Sequence, residues 1–152
     1  MSLLNDLFGK KGKTGQPPTL LEDIPKAADW LVRAMASSGY TLDGSIDSFR
    51  ELDRFFEEQK VPGGLLDGKV GNKLFAIGSY VGQSLCKELG GVWETDDADP
   101  QGEINIAVRF PNGQVVWPVQ RAMKRFQNGA EDNLYAYGVV LRKMMGETPQ
   151  GR

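Results

Sequence analysis

The segment 72–89 is the most apolar part of the chain, and it constrains the fold more than any other feature. Its apolar residues recur at helical spacing on more than one side of the predicted helix: Leu74, Ile77, Val81, Leu85 and Leu89 on one face, Phe75 and Cys86 on another. A helix that is apolar on most sides packs among neighbouring elements. Asn72 is the predicted N-cap and Gly90 the predicted stop. The sequence therefore predicts a central helix.

Two glycines, Gly78 and Gly82, lie four residues apart within this helix. Each glycine costs a helix interior about 1 kcal/mol relative to alanine, so another group must approach closely to offset the cost. In a membrane such spacing is typical of helix dimers, but Lys73, Lys87 and Glu88 occupy the same segment. Close packing by a neighbouring element is the preferred interpretation, and an approaching ligand is the alternative.

Amphipathic helices are predicted before this segment. The first carries its apolar stripe from Ile24 onward. Asp23 is preferred as its cap over a capping box of Thr19 and Glu22, because the earlier start would place Pro25 inside the helix. A second helix is predicted over 46–59 with Ser45 as its cap, and the stretch 60–71 is predicted to be a loop.

Beyond Gly90 the pattern changes to period two. Strands are predicted over 92–95, 104–110 and 114–117, with Pro111-Asn112-Gly113 as the turn between the last two. Pro118 can open a short helix, and Asn128 with Glu131 resembles a capping box for a last helix that ends near Met145. The predicted fold class is α+β, with four to five helices around the central helix 72–89 and a three-stranded antiparallel meander.

The predicted domain organisation is a flexible N-terminal segment over 1–18, a single α+β domain over 19–146 and a tail over 147–152. Residues 9–18 contain glycine, lysine and proline without apolar side chains, which is typical of a linker. The apolar residues in 1–8 lack a basic stretch before them and are too few for a signal peptide or a membrane span. We therefore expect no stable membrane insertion and a cytoplasmic location.

Composition excludes several functional classes. The 152 residues contain no histidine, which removes histidine acid–base catalysis and every histidine metal site. A single cysteine, Cys86, excludes an intramolecular disulfide and a cysteine cluster for zinc, and its apolar position predicts a structural, unreactive thiol. A net charge of −2 gives no electrostatic basis for nucleic-acid binding.

Asp53 lies on the apolar flank of the second predicted helix, between Phe49 and Phe56. A carboxylate there needs a cationic or backbone N–H partner. The preferred interpretation is a structural acid that ties the helix to a loop. The alternative is a catalytic or ligand-binding carboxylate.

Charge is unevenly distributed in the second half of the chain. Residues 88–108 contain six acids and no base, whereas residues 109–130 contain four bases and no acid. The two segments can neutralise each other across the meander, or they can recognise a protein partner. The candidate interaction residues are Glu94, Asp96, Asp97, Asp99, Arg121, Lys124 and Arg125.

The acidic loop also copies the first half of a calcium-binding EF-hand loop, since Asp97 and Asp99 take its first and third positions. Position twelve, which requires a glutamate, is Val108, and Pro100 interrupts the loop. We therefore predict no specific Ca²⁺ site, and we expect no metal or other cofactor.

Three segments together resemble a family of small uncharacterised bacterial α+β proteins: SFRELDRFFEE (48–58), LFAIGSYVGQSLCKELGGVWE (74–94) and PVQRAMKRFQNG (118–129). The resemblance spans about residues 25–140. Gln83 stands where the family pattern has glutamate. The resemblance implies the fold and a bacterial cytoplasmic origin, and it implies no particular chemistry.

Three functional hypotheses remain from different classes. The first is a non-catalytic protein-interaction module, such as an adaptor or an immunity-like protein. The second is a small-molecule binding domain with its pocket between the central helix and the meander, near Gly78, Tyr80, Gly82, Trp93 and Trp117. The third is a carboxylate-based enzyme, for which we expect no catalytic residue beyond the Asp53 alternative. The sequence leaves the oligomeric state open.

Overall fold

A computed structural model describes residues 17–147. The segment predicted to be flexible and the predicted tail therefore lie almost wholly outside the described residues. In chain order the elements are α1 (Leu20–Ser37), a 3₁₀ turn (Ile46–Ser48), α2 (Phe49–Gln59), α3 (Gly71–Leu89), β1 (Val92–Glu94), β2 (Ala107–Arg109), β3 (Val115–Val116), α4 (Pro118–Asn128), a second 3₁₀ turn (Gly129–Asp132) and α5 (Leu134–Glu147). The five helices and one small sheet of residues 17–147 confirm the predicted α+β class.

The central helix is α3, which packs chiefly against α1 and α4. Its residues 74–82 are all buried, as the apolar pattern predicts. Gly90 ends the helix in the left-handed conformation, with φ 76°, which glycine adopts without strain. The predicted cap is wrong: Val70 is the N-cap, and the Asn72 side-chain oxygen is buried without a hydrogen-bond partner.

Helix α1 begins four residues before its predicted apolar stripe. Thr19 and Glu22 form a complete capping box, so the preference for Asp23 as the cap is wrong. The Leu20 N–H also donates to Asp97 Oδ1 at 2.8 Å, and the Leu20 side chain is buried. These contacts offset the cost of placing Pro25 inside the helix.

The second predicted helix is confirmed, with a tighter first turn. Ser45 caps the 3₁₀ turn by accepting a hydrogen bond from the Ser48 N–H at 3.1 Å, and α2 continues from Phe49.

The sheet has the predicted antiparallel order β1-β2-β3. Val108 pairs with Trp93 on one side and with Val116 on the other. The strands are shorter than predicted because residues before Ala107 form turns, in which the Ile104 and Asn105 N–H groups both donate to Gln101 O. Gly113 completes the predicted hairpin turn with φ 90°.

The last helix begins later than predicted. Asn128 and Glu131 do not form its capping box, because residues 129–132 are a separate 3₁₀ turn. The cap of α5 is instead Asn133, whose side-chain oxygen accepts from the Ala136 N–H at 2.8 Å. Pro118 opens α4, as predicted.

Within the described part of the chain, the helices are too short or too polar to cross a lipid bilayer.

Candidate functional site

The pocket predicted beside the glycines of α3 is filled by protein. A methyl group at Gly78 would lie 2.6 Å from the Val119 Cα, and one at Gly82 would lie 2.0 Å from Trp93 Cη2. Both distances are shorter than a contact between two non-bonded carbon atoms allows. The two glycines therefore admit α4 and the Trp93 ring against α3, and no space remains for a ligand there.

Tyr80 lies on a different side of α3. Its hydroxyl accepts a hydrogen bond from the Gly44 N–H at 2.8 Å and forms another with the Ser48 hydroxyl at 2.5 Å. It lines an open cavity of about 560 Å³ between α1, α3 and the loop before the first 3₁₀ turn. Lys87 and Asp43 are among the polar residues of that cavity. Tyr80 is thus separated from Trp117.

Asp53 is a buried acceptor that joins three parts of the fold. Its carboxylate accepts hydrogen bonds from the Arg125 Nε and from the N–H groups of Leu134 and Tyr135, each at 2.9 Å. The last two donors belong to the first turn of α5, so Asp53 on α2 caps a helix 81 residues later in the chain. These contacts occupy both carboxylate oxygens, which favours the structural interpretation over the catalytic one.

The basic residues predicted to share one face of α4 are divided between the interior and the surface. Arg125 is only 3% exposed, because Asp53 draws its guanidinium inward. This corrects the prediction that Arg125 belongs to an interaction surface. Arg121 is half-buried, pairs with Asp132 at 3.3 Å and lies over the Tyr137 ring at 4.4 Å. Lys124 is exposed and forms no ion pair with any residue from 17 to 147.

The acidic candidates have separate local roles. Glu94 pairs with Arg109 at 2.6 Å across the sheet, and this hydrogen bond lowers the pKa of Glu94. Asp97 accepts from the start of α1. The Asp96 carboxylate accepts from the Ala98 N–H.

Asp99 completes this loop, where hydrogen bonds from the Asn105 side chain and the Gln101 N–H lower its pKa. The neighbouring carboxylates thus accept from different backbone and side-chain donors. Over residues 17–147, no three acidic or cysteine side chains are grouped so that they could hold a metal ion.

Trp117 borders a groove that was not predicted from the sequence. The groove has a volume of about 450 Å³ and runs between β3, α4 and α5. Three of its side chains are large, apolar and exposed: Trp117 (46%), Val140 (55%) and Met144 (38%). Lys124 and Arg121 supply positive charge at its α4 side.

Tyr137 lies at the same groove, half-buried beneath the Arg121 guanidinium. Burial raises the pKa of Tyr137 to about 12, so its hydroxyl keeps its proton at neutral pH. The groove therefore combines an apolar surface, a neutral phenol and two cations.

A second stripe on α5 is the signal that sequence reasoning missed. The helical spacing predicts an inner face of Leu134, Tyr137, Gly138, Leu141 and Met145; all are buried except Tyr137, which is half-buried. Val140 and Met144 lie four apart on an adjacent, exposed face. Their spacing and their exposure indicate a second apolar surface on this helix.

A second, smaller groove also borders Trp117. It has a volume of about 340 Å³ and shares Val115 and Trp117 with the first groove. Its remaining lining is largely polar and includes Asp96 and Asp99. Trp117 and Val115 thus form a ridge, which we call the Trp117 ridge, between an acidic groove and a basic groove.

Cys86 is half-buried on α3, at the edge of the Tyr80 cavity. Burial raises the pKa of its thiol to about 11. A thiol with that pKa is almost entirely protonated at neutral pH, and the protonated form is a poor nucleophile.

The groove beside the Trp117 ridge brings together three of the large apolar side chains that are exposed among the described residues. Comparison of the chain with profiles of known protein families, with curated proteins and with solved structures found no match.

Proposed function

We propose that this protein is a non-catalytic protein-interaction module that binds its partner in the groove beside the Trp117 ridge. The observation that carries the proposal is the convergence of exposed apolar side chains. Of the seven large hydrophobic residues that are exposed among those described, three line this one groove. Contiguous exposed apolar surface is characteristic of binding sites, whereas scattered apolar residues need no explanation.

The residue types support a protein as the ligand. Tryptophan, tyrosine, methionine and arginine are enriched in protein interfaces, and the groove offers one or more of each: Trp117, Tyr137, Met144 and Arg121. A half-exposed tryptophan that a partner can cover is typical of an interface residue with a large effect on affinity.

The absence of a catalytic role is part of the proposal. Asp53 accepts three internal hydrogen bonds, and the Cys86 thiol is protonated at neutral pH. These contacts support a non-catalytic role, as does the absence of histidine from the sequence. Cytoplasmic location and membership of a bacterial family stay predictions from the sequence.

The test is an affinity capture in which the tagged full chain is the bait. The lysate comes from cells that also produce an untagged copy of the chain. Wild type, Trp117→Ala and the control Val92→Ala are compared, since Val92 is also exposed but lies outside the groove. We expect wild type and Val92→Ala to retain the same protein and Trp117→Ala to lose it. If all three forms retain the same proteins, or if none of them retains any protein, the proposal is contradicted.

A second candidate function is the binding of a small polar molecule in the Tyr80 cavity. Lys87, Asp29 and Asp43 line this cavity, so cationic and anionic groups border the same space. A metabolite that raises the melting temperature of wild type, and not that of Lys87→Ala, would support this function. A set of charged metabolites without any such effect would contradict it.

A further inference from the structure

We propose that the occupant of the groove is a second copy of this chain, in a two-fold dimer centred on the Trp117 ridge. This inference rests on the proposed interaction function and names the partner of the same site. It follows from the arrangement of charge on the two sides of the ridge.

The ridge separates surfaces of opposite character. On one side Arg121 and Lys124 line the basic groove, and on the other side Asp96 and Asp99 line the acidic groove. Since Val115 and Trp117 border both grooves, the two charged surfaces adjoin the same apolar strip.

Part of this charge is not neutralised within the described chain. Arg121 has Asp132 as its ion-pair partner, and Glu94 has Arg109. Lys124, Asp96 and Asp99 form no ion pair with any side chain in the range 17–147. One unpaired cation therefore lies on the basic flank and two unpaired anions lie on the acidic flank.

A two-fold interface uses the same patch on both copies, so the patch must be complementary to itself. A two-fold axis through the ridge would turn the acidic flank of each copy toward the basic flank of the other. Lys124 of each copy would then face Asp96 and Asp99 of its partner, and this pairing would occur twice. Complementary charge of this kind fixes the orientation of an interface.

The apolar residues give such a dimer its centre. The two Trp117 side chains would meet near the axis, and each would cover apolar groups that the single copy leaves exposed. Interface cores with aromatic residues and methionine, flanked by charged residues, are typical of stable protein pairs. A foreign partner would have to carry both charge signs in this arrangement, whereas a second copy already does.

The test is sedimentation equilibrium of the full chain over a range of concentrations, followed by charge exchange. We expect wild type to form a dimer that Trp117→Ala weakens by at least about tenfold, with Val92→Ala as the unchanged control. Lys124→Glu and Asp96→Lys should each weaken the dimer by about tenfold, since each places like charges face to face. The double variant Lys124→Glu/Asp96→Lys should recover most of the wild-type affinity.

Recovery distinguishes a direct contact from damage to the fold, which the double variant would not repair. A monomer at every concentration would overturn the dimer, as would a dimer insensitive to Trp117→Ala, or a double variant no better than the single ones. A monomer that still captures another protein through Trp117 would leave the interaction function standing and remove only the second copy as the partner. If the chain is a monomer at every concentration and also captures no protein through Trp117, both the dimer and the interaction function are overturned.

Discussion

Arg125 on α4 donates to Asp53 on α2 at 2.9 Å, and both residues are buried. The same carboxylate accepts the first two N–H groups of α5, so one side chain satisfies three donors from two other helices. A buried ion pair of this kind contributes little to stability compared with an apolar pair of similar volume. The loss of one partner is nevertheless costly, because it leaves the other as a poorly compensated buried charge.

Asp53→Ala should therefore lower the free energy of unfolding by about 3 to 5 kcal/mol, because the buried Arg125 keeps only the exposed Glu57 as an ion-pair partner and the first two N–H groups of α5 lose their acceptor. Urea denaturation of the full chain measures the loss. Glu57→Ala is the matched control on the same helix, since Glu57 is exposed and approaches Arg125 only at 3.4 Å. A loss below about 1 kcal/mol for Asp53→Ala would contradict the structural role of this carboxylate.

Gly82→Ala should be destabilising, although alanine favours helices by about 1 kcal/mol over glycine. Its methyl group would lie 2.0 Å from Trp93 Cη2 and 3.0 Å from Pro118 Cγ, so the indole ring or α4 must move. Gly146→Ala in α5 is the control, because nothing lies within 4 Å of its added methyl group. In thermal denaturation we expect Gly82→Ala to lower the melting temperature and Gly146→Ala to raise it. A higher melting temperature for both variants would show that α3 is not packed closely at Gly82.

Asp23 introduces a pH dependence of stability. Burial raises the pKa of this carboxyl from its ordinary 3.8 to about 6, with a further contribution from nearby acids and an opposing one from Lys26. Between these two values the folded chain holds the proton more tightly than the unfolded chain, so stability falls as pH rises from about 4 to about 6 and stays lower above that range.

Asp23→Asn removes this penalty, so its melting temperature should exceed that of wild type at pH 7.5, and the difference should shrink toward pH 4. Asp29→Asn, an exposed change on the same helix, serves as the control. A constant difference at every pH would mean that Asp23 does not titrate differently in the folded chain.

Cys86 should react slowly with a thiol reagent at neutral pH. With its pKa raised to about 11 by burial, the folded protein should be labelled at least about tenfold more slowly than the same chain in urea. The absorbance change of a disulfide reagent follows both rates. Equal rates would place the thiol in an exposed, unperturbed setting.

Local patterns predict much of this fold. The apolar faces of 72–89, the positive-φ stop at Gly90 and the turn at Gly113 each depend on residues near in sequence. The start of α1 was misplaced because part of its stabilisation comes from Asp97, 77 residues away. The start of α5 differs from its prediction for a similar reason, since Asp53 on α2 accepts its first two N–H groups beside the local cap Asn133.

The candidate site was predictable only in parts. Trp117 and the charged residues were identified, but their grouping depends on how α4 and α5 cross beside β3. Arg125 shows the limit clearly: its spacing from Lys124 and Arg121 predicts one basic face, whereas a buried partner 72 residues away turns it inward. Sequence spacing predicts which residues share a face of a helix, but it does not predict how deeply each of them is buried.

The hydrogen bond between Leu20 and Asp97 also has a consequence for the order of assembly during synthesis. The capping box at Thr19 and Glu22 is local, so the first turn of α1 can form as soon as those residues leave the ribosome. The Leu20 N–H, however, reaches its acceptor only after another 77 residues have been made. Helix α1 is therefore completed by a later loop of the chain, and its first turn reaches its final stability only when most of the domain exists.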